Sequence, residues 1–193
     1  VQVAGRDWRA QKRDATRRRL TAAAFAVFDE RGYDAVSVAE IAHAAGVSVP
    51  TFYAYFRTKE HVVLPDQDAL WIGDHFSRQP ADLPLTERIR RGLRAMTDDL
   101  PPEVLAELLS RWSMVLASPA LLLRAADRQH ASTTVLGDQL GIDLTTSEGA
   151  ADVVVIAACL TAATTAFVRW AATGGERVLG DLLDEAFAAL RSI

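Results

Sequence analysis

A single cysteine, Cys159, is all the thiol chemistry in the 193-residue chain, so neither an intramolecular disulfide framework nor a cysteine-only zinc site can be built from it. Collagen-like periodicity and low-complexity bias are also missing, and a chain that is half hydrophobic is too apolar for intrinsic disorder. The longest uncharged apolar run, residues 153–168, falls short of the about 20 residues a bilayer span needs, and no basic-then-apolar leader follows Val1. The expectation is a soluble, cytoplasmic protein. Catalytic signatures are lacking as well: no Gly-rich phosphate loop, His-Glu-x-x-His helix or nucleophile elbow occurs. Asp127 and His130 form an i, i+3 carboxylate–imidazole pair, but no second pair completes a metal site. Neither an enzyme nor a bound metal or cofactor is expected; the length suits one large domain or a small one fused to a larger one.

The charge is unevenly spread. The net of −4 divides into +3 over residues 1–60 and −7 over residues 61–193. Arg6, Arg9, Lys12, Arg13, Arg17, Arg18 and Arg19 crowd the first 19 residues against only Asp7 and Asp14. A basic head on an acidic body can hold a polyanion at one end, and a solvated arm would have the same composition.

Almost everything reads as helix. Leu20, Ala23, Ala24, Val27 and Phe28 form the apolar stripe of an amphipathic helix that begins near residues 9–14 and ends at Gly32. Ser37-Val38-Ala39-Glu40 is a capping box opening a short helix that Gly46 ends. Ser48 caps another, with Pro50 tolerated in its first turn and Phe52 and Phe56 as its buried stripe. Further helices are predicted at about 58–76, kinked near Pro65, then 86–98, 102–117, 119–140, 147–173 and 177–192. The expected architecture is all-α: a three-helix head containing a helix-turn-helix, followed by a helical body, divided as 1–60 and 61–193.

The informative segment is SVAEIAHAAGVSVPTFYAYFRTKE, residues 37–60. Two short helices joined by the tight Ala45-Gly46-Val47 turn make a helix-turn-helix, which lays its second helix in the major groove with N-terminal residues at base edges. Those residues are Ser48, Val49, Pro50 and Thr51. Tyr53 and Tyr55 carry hydroxyls able to reach phosphates, and Lys59 stands at the start of the next helix, where a phosphate is naturally held. Tyr33 is expected to pack within the head, and capping alone explains Ser37. His43 is read as a surface histidine.

Residues 13–62 resemble the DNA-binding head of TetR-family transcriptional repressors. The resemblance rests on Phe28-Asp29-Glu30-Arg31-Gly32-Tyr33, Ile41-Ala42, Ala45-Gly46-Val47-Ser48, Thr51-Phe52-Tyr53-Ala54-Tyr55-Phe56 and Lys59-Glu60. It implies base contacts near Val49, Pro50 and Thr51 and phosphate contacts from Tyr53, Tyr55 and Lys59. A small residue often precedes the threonine in that pattern, and here it is Pro50, which favours apolar contact with thymine methyls over bidentate hydrogen bonds. The resemblance further implies a body that dimerises and binds a small molecule, hence a ligand-responsive repressor released from a palindromic operator. An activator or ligand-independent regulator is the alternative, with an all-α enzyme further off.

The helix at about 147–173 is apolar nearly all round, and the last helix has a broad apolar face, so the two either form a four-helix dimer interface or close the monomer core. Small residues such as Ala162 and Ala163 are expected to lie in that interface. Trp71, Phe76, Trp112, Phe167 and Trp170 are candidate pocket walls. Arg111-Trp112 through Ser118-Pro119, then Leu121, Arg124 and Arg128, together with Trp170 before Gly174-Gly175, resemble the branch of the family proposed to bind acyl-CoA-like ligands. Arg124 and Arg128, one helical turn apart, suit a phosphate or surface ion pairs equally.

Overall fold

The long first helix, α1 (Ala4–Arg31), starts earlier than the apolar stripe suggests, because residues 4–16 contain no proline and are rich in alanine and arginine, good helix formers. The computed structural model describes residues 4–65, 75–76 and 78–192, and every regular element among them is a helix. The chain divides into two compact units, Val1–Pro65 and Asp66–Ile193.

In the first unit α1 stops where Gly32 takes φ +79° and its amide reaches the Phe28 carbonyl at 2.8 Å, a backbone state that side chains disfavour. Next come α2 (Val38–Ala44) and α3 (Val49–Tyr55), joined through Gly46 at φ +63°. The capping box is complete: the Ser37 hydroxyl accepts from the Glu40 amide at 3.3 Å, and the Glu40 carboxylate accepts from the Ser37 amide at 2.8 Å. Leu20, Ala24, Phe28, Tyr33, Val36, Ile41, Phe52, Phe56, Val62 and Val63 make the core. Of the helix expected over 58–76, the described part before Pro65 is the short α4 (Glu60–Val63), and the expected kink is a break, since Leu64 precedes Pro65 and leaves helical geometry with ψ 74°. Residues 66–74, Trp71 among them, lie outside the described residues.

The second unit holds α5 (Leu85–Asp98), α6 (Pro102–Ala117), α7 (Pro119–Gln139), α8 (Ser147–Ala172) and α9 (Leu179–Leu190). Ser118 turns the chain by 112° between α6 and α7, its hydroxyl capping the Leu121 amide ahead of Pro119. The 26-residue α8 is long and apolar enough to cross a bilayer, longer than its uncharged core implies. In this fold it is the central strut, packed by α5, α6, α7 and α9. Ile156, Cys159, Ala162, Ala163, Ala166 and Trp170 on α8 meet Ile89, Leu93, Leu182, Leu183 and Phe187. Arg90 and Arg94 of α5 pair with Asp184 of α9, and Arg94 lies across Gly180, where a Cβ would come within 2.5 Å of the guanidinium.

This packing corrects one expectation. Ala162 and Ala163 are only 7% and 5% exposed inside the unit, so they face its own core and not a partner. The outward side of α8 is a different stripe, with Ala151, Val154, Thr161, Thr165 and Ala172 exposed and Val154 68% accessible.

Candidate functional site

A seven-residue helix is too short to be stable alone, so α3 depends on tertiary anchoring. Phe52 (0% exposed) and Phe56 (3%) supply it, their rings 5.5 Å apart against the head core. With that side fixed, Ser48, Val49, Pro50 and Tyr53 are left exposed, while Thr51 and Tyr55 are half-buried. Ser48 caps α3 by accepting from the Thr51 amide at 3.2 Å, and the two hydroxyls meet at 2.8 Å. The side-chain hydroxyl of Thr51 is therefore already engaged, and the accessible surface at the start of α3 is mostly the apolar surface of Val49 and Pro50. That surface suits a thymine methyl better than a polar base edge.

Lys59 has a structural task as well. Its ammonium donates to the Tyr33 and Val36 carbonyls, both at 2.9 Å, and sits 4.1 Å from the centre of the Tyr33 ring. An ammonium has three donors, so one remains for a phosphate. Burial, then the neighbouring Glu60 carboxylate, hold the Tyr33 phenol well above its ordinary range. Burial opposes the ionisation of Glu60, but the polar groups around its carboxylate, first the Thr58 side chain and its own amide, with the charge of Lys59, outweigh it. Hydrogen bonds from the Ser37 hydroxyl and amide, together with Arg31, hold Glu40 down at about 2. These ties make the head a rigid support for α3.

The sequence does not indicate what lies beside the recognition helix. The Arg13 guanidinium stands over the Tyr55 ring at 5.9 Å and that of Arg17 over the Phe56 ring at 5.3 Å. These pairs join residues about forty apart, and charge counting could only say that the segment is basic.

The candidates in the body separate into three groups. Trp112 and Phe167 stack face to face, 4.9 Å between centroids and 10° between planes, both half-buried. Phe76 (2%) and Trp170 (3%) are core residues, with Phe76 against Gly92 so closely that a Cβ there would lie 2.5 Å from the ring. Arg124 pairs with Asp127 at 2.6 Å, and Arg128, one turn on, is half-buried. Burial pushes the Cys159 thiol up to about 11, partly offset by a hydrogen bond with Thr86, so it is no thiolate at neutral pH. Among the described residues no group of three or more His, Cys, Asp or Glu could hold a metal ion.

The family model described as "Bacterial regulatory proteins, tetR family" matches residues 20–64, and that of the MftR C-terminal domain matches residues 83–193. No curated protein sequence matches the chain. Among solved structures, a tetR-family transcriptional regulator from Streptomyces coelicolor is 23% identical at TM-score 0.51, with 91% of this chain and 82% of that one covered. The fatty acid degradation regulator FadR from Bacillus halodurans is 18% identical at TM-score 0.54, covering 89% of this chain and 96% of that one. Two matched segments spanning the helix-turn-helix and the whole of α5 to α9 leave one conclusion: the chain belongs to the tetR family of bacterial regulatory proteins, ligand-responsive DNA-binding regulators of transcription.

Proposed function

We propose that the chain is a homodimeric cytoplasmic repressor that two effector molecules, one per body, release from a palindromic operator. The head, residues 1–60, would read DNA, and the body, residues 61–193, would bind the effector and dimerise. Ser48, Val49, Pro50 and Thr51 would meet base edges, and Tyr53, Tyr55 and Lys59 would contact phosphates. The observation that carries this is the free face of α3, backed on its other side by the fully buried Phe52. A symmetric dimer presents two such faces, so its operator should repeat the half-site about a two-fold axis.

The interface we assign to α8 and α9 uses the exposed Val154, Thr161 and Thr165 stripe, small residues that allow close approach. For the effector we favour an apolar acyl chain with an anionic head, as in acyl-CoA. Trp112 and Phe167 offer it a flat apolar wall, with Trp71, Phe76 and Trp170 further pocket candidates and Arg124 and Arg128 candidates for its phosphates. Selection of bound duplexes from a random pool tests the first part. A two-fold symmetric consensus supports it, with Val49→Ala or Thr51→Ala altering the preferred bases, and a pool that shows no enrichment overturns it. Titrating acyl-CoAs and neutral aromatics against the labelled complex tests the second part, with a coupling of about 1–3 kcal/mol expected. Release by neutral aromatics alone, with Arg124→Ala and Arg128→Ala silent, overturns the acyl-CoA assignment.

A further inference from the structure

The face of α1 that packs the head core does not end with the core. Leu20, Ala24 and Phe28 are buried at i, i+4 and i+8, and the same stripe continues backwards as Arg17 and Arg13, both exposed. At that point the helix has outrun the apolar core and runs beside the C-terminal end of α3. Arg13 and Arg17 rest there on the rings of Tyr55 and Phe56, and Lys12 lies 5.6 Å from the centre of the Trp8 ring. Trp8, Lys12 and Arg13 on one wall and Ala54 and Tyr55 on the other enclose an open cleft of about 320 Å³. Trp8 is 53% exposed.

In the body, by contrast, Arg90, Arg94, Arg169 and Arg177 are each committed to a carboxylate. A cation held over an aromatic ring is attracted to the ring's face without giving up its N–H donors, the groups that bind phosphate bidentately. Residues 12–17 precede the segment that matches the family model, residues 20–64.

We infer that the first half of α1 is a second DNA-contacting element, in which Lys12, Arg13 and Arg17 clasp the sugar–phosphate backbone flanking the bases that α3 reads. The α3 helix is about 10 Å long at 1.5 Å per residue, and the major groove is about 12 Å wide. With the N-terminal end of α3 at the base edges, Tyr55 and the arginines resting beside it come up against the phosphate wall. The inference rests on the operator-binding reading above and adds a footprint to it.

The test uses the full-length protein, a 30-base-pair duplex recovered from the random-pool selection and a scrambled duplex of the same length. Lys12→Gln/Arg13→Gln/Arg17→Gln should lower the slope of log affinity against log salt by about 3 per head, at about 0.9 per phosphate, on both duplexes. The preferred sequence should not change, because these contacts carry no base information. Arg13→Lys/Arg17→Lys should retain most of the slope. Phosphate-ethylation interference on the unsubstituted protein needs no variant, and should detect contacts outside the selected half-site. Unchanged salt slope in the folded triple variant, or no interference outside the half-site, overturns the inference while the operator reading stands. An unsubstituted protein that binds neither duplex overturns both.

Discussion

Val154 is a large apolar side chain that the monomer leaves 68% exposed in the first half of α8, on the stripe it shares with Ala151, Thr161 and Thr165. If α8 supplies the dimer interface, the partner must cover it, and the consequence can be sized. Full burial of a valine is worth about 1.5 kcal/mol, so covering the remaining two-thirds contributes about 1 kcal/mol per subunit. Two-fold symmetry doubles every change, and Val154→Ala should raise the dimer dissociation constant by roughly thirtyfold, about 2 kcal/mol. Val154→Arg is harsher, since an unpaired buried charge costs about 3–5 kcal/mol and two arginines would approach the axis together. That is a rise of about ten-thousandfold or more. Sedimentation velocity over a dilution series, with circular dichroism to confirm helix content, should find a folded monomer. Ala163→Arg is the contrast: at 5% exposure its site is already filled by the protein's own core, so it should lose the fold and not merely the partner. A Val154→Arg protein that stays dimeric at the concentrations where the unsubstituted protein does so refutes the assignment of this face.

Lys59→Ala should act twice, lowering the salt slope by about 1 and destabilising the head by about 1–3 kcal/mol, because the Tyr33 and Val36 carbonyls lose their donor. Chemical unfolding followed by a head-specific probe checks the second effect, and unchanged head stability would refute the structural role. Glu40 is held at about 2 in the folded head against an ordinary 4.5, so its contribution is fully present above the higher value and is lost as pH falls towards the lower. The urea midpoint should decline between about pH 4.5 and pH 2, and Glu40→Gln should flatten that decline; equal slopes would contradict the linkage. Gly137→Ala and Gly149→Ala should have opposite signs. A Cβ at Gly137 meets only Val153 at 4.0 Å, so the gain in helix propensity stands at about 0.5–1 kcal/mol. A Cβ at Gly149 would lie 2.0 Å from the Asp143 carbonyl oxygen, and the loop must shift and disturb the Thr146 cap, so the melting temperature should fall. A stabilised Gly149→Ala protein would show that the loop yields freely.

Local chemistry was legible from the sequence wherever one short stretch contains both partners of an interaction. The Ser37–Glu40 capping box, the Ser48 cap, the left-handed Gly32 and Gly46, and the breaks at Ser118–Pro119 and beyond Ala172 are each decided within a few residues. The helix-turn-helix was legible for the same reason, since its apolar spacing and tight turn lie within residues 37–56. Pro65 is legible in the same way: the geometry it demands of Leu64 ends α4 at Val63, where the sequence placed a kink. Amphipathicity could say that α8 must be buried on several sides, but not which side meets its own chain and which is left bare. That is why Ala162 and Ala163 fell on the wrong face. The Lys59 ammonium over the Tyr33 ring, Arg13 and Arg17 over Tyr55 and Phe56, and the Trp112–Phe167 stack all join residues 26 or more apart in sequence. A local pattern sets which way a side chain leaves its helix, and only the packing of one helix against another decides what it meets there.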